Sequence, residues 1–148
     1  MQGIDVQQMR ERAREVRESI TKVRGYAAQS DEDFFADERN LYTVMHLLLI
    51  SIEAIVAMCN HVMAKTTRKA PSSYADCFTG LENLGILDLD LASRLAQMAR
   101  FRNLLVHRYW EIDHKRVLLY ARENLGDLEQ FLIQMGQWMG QELYSNQK

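Results

Sequence analysis

The sequence predicts an all-α protein, a mostly antiparallel bundle of four or five helices, and three observations carry that reading. The chain has 148 residues but only one proline, Pro71, and seven glycines, too few breakers for a fold with many turns. Its apolar residues, 47% of the total, recur in steps of three and four along most of the chain. No run alternates with period two for long enough to make a strand. The length suits one domain over 1–148, with a core from about residue 5 to residue 143.

The first helix is expected from about Asp5 to Ala27, because Val6, Met9, Ala13, Val16, Ile20, Val23 and Ala27 form one apolar seam on a charged rod. "QSDED" then supplies turn and N-cap residues. A second helix is expected from near Phe34 to about Lys65; Leu47, Leu49 and Ile50 widen its stripe, so it meets neighbours on more than one side. "TTRKAPSS" reads as the main loop, followed by a short helix from Tyr74 to about Leu84 that ends at Gly85. "LDLD" caps a fourth helix that begins near Leu89 and continues through "RNLLVHRYW". Asp113 caps a fifth, which reaches roughly to Leu143 along the seam Val117, Ala121, Leu125, Leu128, Leu132, Met135 and Met139. Gly126, Gly136 and Gly140 fall in this last helix, where small size permits close contact.

Composition narrows the function classes. Cys59 and Cys77 have no framework spacing, so reduced thiols in a cytoplasmic protein are the plain expectation. The polar start "MQGIDVQQMRERAREV" does not read as a secretory signal. The most apolar run, "LYTVMHLLLISIEAIVAMCNHVMA", is interrupted by His46, Glu53, Asn60 and His61, which favours a buried helix over a membrane span. The net charge is −2, yet residues 94–116 carry six Lys/Arg against two acids, while residues 25–93 hold ten acids and four bases. Such a local excess fits a focused anion site better than general coating of nucleic acid, although solvated helix faces would look the same.

Within the basic segment, "RNLLVHRYW" puts Arg102, Asn103, His107 and Tyr109 inside eight positions. On a helix Asn103 and His107, four apart, share a face, so the amide is placed to fix the imidazole's tautomer. Arg102 and Tyr109, seven apart, also align, whereas Arg102 and His107 diverge by about 140°. Leu104, Leu105 and Val106 are expected to anchor the other side in the core. Spacing alone leaves a plainer alternative open. His107 and Arg108 would then meet the last carbonyls of the helix, and Tyr109 and Trp110 would pack at the bundle's end.

These residues carry a resemblance. "RNLLVHRY" looks like the Arg-Asn-x-x-x-His-x-Tyr motif of the HEPN superfamily of helical ribonucleases, and more narrowly of the HepT-like toxins of HEPN/MNT toxin–antitoxin modules. "PSSYADCFTGLENLGILD", "FRNLLVHRYWEID" and the long "LLLISIEAIVAMCNHVM" helix also resemble that family, so the likeness covers most of residues 34–135. It implies a catalytic pair, Arg102 and His107, with Asn103 supporting the histidine. Tyr109 would be the regulatory residue, adenylylated by a partner MNT nucleotidyltransferase antitoxin. It implies RNA as substrate, metal-independent cleavage and no cofactor for this chain, ATP being used by the antitoxin. A non-catalytic HEPN module, which binds a nucleotidyltransferase or a nucleotide without cutting RNA, is the rival reading.

The residue types suit the chemistry. Attack by a ribose 2′-OH needs a proton acceptor and the departing 5′ oxygen a donor, and histidine, with an ordinary pKa near 6.5, fills either role. Arginine stays charged, and its fork matches phosphate oxygens. One histidine does not easily serve as base and acid in a single step. A twofold homodimer with two copies of Arg102 and His107 across one cleft is therefore expected. No metal site is expected: Cys59 and His61, two apart on a helix, point away from each other, and His46 and His114 complete no structural-zinc spacing.

Overall fold

The computed structural model describes residues 3–145, except for the side chain of Tyr109. Helix α1 (Val6–Ala27) starts at Asp5, whose carboxylate accepts the Gln8 N–H at 3.0 Å. A second tie holds this start: the Asp5 N–H donates to Nε2 of His61 at 2.9 Å. The buried seam of α1 includes Met9, Ala13, Val16, Ile20, Val23 and Ala27, as the spacing predicts; only Val6 is left partly exposed.

Where the sequence predicts one helix from Phe34 to Lys65, the chain forms two, α2 (Asp31–Ala36) and α3 (Glu38–Thr66). Asp37 takes an extended conformation between them and accepts the Arg39 N–H at 3.0 Å, ending one helix while capping the next. Phe34, which belongs to α2, is fully buried. Helix α3 is the core element, with buried residues around most of its circumference, and it packs along α1 and against α2, α4, α5, α6 and α7. Among the described residues it alone is long and apolar enough to cross a membrane by length and composition, but here its apolar faces meet other helices.

Helix α4 (Tyr74–Asn83) begins at the N-cap Ser73, and α5 (Leu89–His107) at the N-cap Asp88. Residues Tyr109–Glu111 make a 3-10 turn. The expected fifth helix is again two, α6 (His114–Glu123) and α7 (Leu125–Met139), broken at Asn124, which offers α7 no side-chain cap. Gly140, with φ +69°, ends α7 in the left-handed region, so it is a cap rather than a helical residue. At Gly136 a Cβ would lie 2.5 Å from the Gln141 carbonyl oxygen, so only glycine lets the chain fold back there. Gly126 faces open space. The ordered elements among the described residues are thus all helical, with a core to which each of the seven α-helices contributes buried residues.

The cysteines correct the sequence reading. Cys59 on α3 and Cys77 on α4 are joined as a disulfide, both fully buried, rather than left as reduced thiols. Their separation of 18 residues carries no recognisable spacing signal. Only the α3–α4 turn brings them together.

Candidate active site

The C-terminal half of α5 presents the predicted residues. Asn103 and His107 lie one turn apart on its exposed face, and His107 is its final residue. Arg102 is more enclosed, its side chain 17% exposed. Leu105 is buried and Leu104 packs on the core, but Val106 is exposed, so the expected anchor is two residues wide, not three. The helix stops at Arg108, so Tyr109 leaves the helical register and the expected seven-residue alignment with Arg102 does not hold. The Tyr109 side chain lies outside the described residues.

Two residues that sequence reasoning did not assign to the site meet Arg102. Glu53, from α3, accepts the Arg102 Nε–H at 2.7 Å. Tyr74, the first residue of α4, lays its ring under the guanidinium at 4.9 Å from the centroid. The Tyr74 hydroxyl donates to the second Glu53 oxygen at 3.4 Å. Burial first, then the Glu53 carboxylate, push the Tyr74 phenol above its ordinary value against the opposite pull of Arg102, so it stays a donor. One signal was visible in advance: Glu53 is the acid that interrupts the most apolar run of the chain.

Arg102 and Asn103 line an open cleft of about 380 Å³ between the start of α4 and α5, together with Ser73, Tyr74 and Arg100. Three alanines, Ala75 of α4 and Ala96 and Ala99 of α5, line it as well, where the two helices pack together. His107 does not line this cleft. The amide oxygen of Asn103 takes a long hydrogen bond from Arg102, 3.5 Å, and no Asn103–His107 bond forms among the described residues, contrary to expectation. Since α5 stays α-helical through His107, the wide angle between Arg102 and His107 is not closed by fraying. A single chain therefore offers a phosphate-sized cationic group in a cleft and an exposed imidazole on a neighbouring face.

No group of three or more His, Cys, Asp or Glu able to hold a metal occurs among the described residues. His61 is used to accept from the Asp5 backbone, and His46 and His114 are exposed.

Residues 16–135 match the family described as Ribonuclease HepT-like. The chain belongs to that family. The HepT-like match spans every element that builds the site, from α3 through α5. A HepT-like relative, the mRNA nuclease HepT of Shewanella oneidensis, is 29% identical over 113 residues, 76% of this chain and 82% of its own. Among solved structures, a tri-AMPylated Shewanella oneidensis HEPN toxin in complex with MNT antitoxin superposes with a TM-score of 0.81. It is 23% identical, over 88% of this chain and 97% of the other. A toxin–antitoxin crystal structure with AMP-PNP gives 0.79 at 23% identity, over 86% and 97%. These likenesses establish the helical fold as that of the HEPN toxins, and the family makes the chain a ribonuclease.

Proposed function

We propose that this HepT-like ribonuclease is the toxin of a toxin–antitoxin pair, acting in the cytoplasm on transfer or messenger RNA, with Arg102 and His107 as its catalytic residues. One observation carries the reading: Arg102 and Asn103 open onto a solvent cleft and His107 ends the same helix exposed, so none of these three side chains is spent on the core. A packing role would have buried all three.

The mechanism follows from the groups. The ribose 2′ oxygen attacks the adjacent phosphorus and passes its proton to a neutral His107 imidazole. The bond from phosphorus to the 5′ oxygen breaks, and that oxygen takes a proton from a second imidazole, leaving a 2′,3′-cyclic phosphate and a 5′-hydroxyl. Arg102 binds the non-bridging oxygens as charge grows on them. The chemistry needs no metal.

The second imidazole comes from a second copy of the chain in a twofold homodimer. Two features support that assembly. His107 stands apart from the Arg102 cleft of its own chain, and Val106 and Trp110, beside it, are 36% and 68% exposed. Asn103 supports the pair by steadying the guanidinium from one turn before His107.

The proposed partner is an MNT-domain nucleotidyltransferase antitoxin, which uses ATP to place adenylate on Tyr109. The relative whose solved form is AMPylated and bound to MNT antitoxin supports that partner. Adenylate on Tyr109, two residues after His107 in the chain, would add bulk and negative charge, which opposes RNA binding by repulsion.

End-mapping of RNA cut by purified protein in excess chelator tests the reading. Cyclic phosphate and 5′-hydroxyl ends, lost in His107→Ala and in Arg102→Ala, are expected. Unchanged cutting by both folded variants would overturn it. Coexpression with the antitoxin should add adenylate mass to the wild type and not to Tyr109→Phe.

A further inference from the structure

We infer that Glu53 and Tyr74 are positioning residues, which together hold the Arg102 guanidinium with its two terminal nitrogens turned toward the phosphate. The inference deepens the ribonuclease reading above and rests on it for the identity of the ligand.

Helix α5 fixes the base of the Arg102 side chain and offers its guanidinium only the long 3.5 Å bond to Asn103, which by itself leaves a flexible stem room to swing. Two other helices remove that freedom. From α3, a Glu53 oxygen takes the Nε–H at 2.7 Å; from α4, the Tyr74 ring covers one face of the guanidinium at 4.9 Å. The Tyr74 hydroxyl braces the other Glu53 oxygen, so the carboxylate is itself held in place. With Nε occupied and one face covered, the edge carrying both Nη nitrogens is what remains for a ligand, since Nη1 makes only the long 3.5 Å bond to Asn103 that a phosphate oxygen would replace. That edge is a bidentate fork for two phosphate oxygens.

Charge decides what kind of role this is. A carboxylate next to an arginine cancels part of its attraction for a phosphate, so Glu53 works against substrate affinity. Its contribution lies in orientation, and orientation is felt in the transition state more than in binding. Loss of Glu53 should therefore lower kcat while leaving KM for RNA unchanged or lower. A residue that merely stabilised the fold would not split the two constants in this way.

The test compares Glu53→Ala, Glu53→Gln, Tyr74→Phe and Tyr74→Leu in the full-length protein, each checked for folding by circular dichroism. Glu53→Ala is expected to lose about tenfold or more in kcat without a rise in KM, a size typical of small misplacements. Glu53→Gln keeps an acceptor oxygen and should recover most of that loss. Tyr74→Leu, which removes the ring, should fall further than Tyr74→Phe, which removes only the hydroxyl.

A second readout does not depend on activity. The Arg102 Nε–H signal in nitrogen-15 NMR, identified by its loss in Arg102→Lys, should exchange slowly with water in the wild type and fast in Glu53→Ala. An unaltered signal, or a folded Glu53→Ala with wild-type kcat while Arg102→Ala is dead, would overturn the positioning role. Full activity of Arg102→Ala would instead overturn the ribonuclease reading, and the NMR arm would still decide whether the clamp exists.

Discussion

The guanidinium of Arg122 on α6 donates through Nε to the carbonyl oxygen of Ala27, the last residue of α1, at 3.1 Å. The same group reaches the Gln29 carbonyl at 2.9 Å and the Asp31 carboxylate in the first turn of α2. One side chain thus satisfies open carbonyls at the end of one helix and pairs with an acid at the start of the next. Arg122→Met, which keeps much of the stem, should cost about 1.5 kcal/mol, a typical value for hydrogen bonds to a charged group. Thermal unfolding should show a fall of about 3–6 °C for a chain of this size.

The Cys59–Cys77 link ties α3 to the helix that carries Tyr74. Closing a loop of 18 residues stabilises by about 3 kcal/mol on the chain-entropy argument. Thiol titration of unreduced, denatured protein should find no free thiol. Paired Cys59→Ala and Cys77→Ala substitution should lower the melting temperature markedly. Free thiols in protein purified without reductant would contradict the link.

Glu129 is held below its ordinary carboxylate value, first by the hydrogen bond from Arg24 at 2.9 Å and also by the Tyr144 hydroxyl, against the opposing effect of burial. A carboxyl whose folded pKa is lowered stabilises the fold above its unfolded pKa, and that stabilisation is lost as pH falls through the folded value. Glu129→Gln should therefore cost stability at pH 7, about 1 kcal/mol once the half-exposed Arg24 is discounted for screening. Denaturant melts of the two proteins should converge in acid below the carboxylate range.

Tyr120 stacks on Phe101 with ring centroids 4.6 Å apart, and its hydroxyl is buried with no hydrogen-bond partner among the described residues. Desolvation pushes its phenol well up, so it stays neutral. Tyr120→Phe keeps the stack and removes an unsatisfied group, and should raise stability by about 1 kcal/mol. A clear loss of stability would show that the hydroxyl has a partner.

Arg102→Lys separates charge from shape. A lysine keeps the positive charge but has no Nε–H for Glu53 and no planar fork for two oxygens. RNA cleavage is expected to fall about 100-fold, in the range seen when one transition-state donor is lost. Melting temperature should move little by comparison.

The sequence alone was enough for the helical class, the α1 seam and four helix starts, because caps and periodic apolar positions act within a few residues of one another. Asp5, Ser73, Asp88 and Asp113 each cap the helix that follows them. The motif on α5 was legible for the same reason. The breaks at Asp37 and Asn124 were not, since helix-compatible residues surround both and the chain turns there to keep apolar faces on a shared core. Nor were the Cys59–Cys77 link or the Arg102 clamp, whose members stand 18 to 49 residues apart. Local pattern decides which residues are helical and which face they share. Only packing of α3, α4 and α5 decides that Glu53 and Tyr74 meet Arg102, because long-range proximity is a property of how helices dock and not of any one helix.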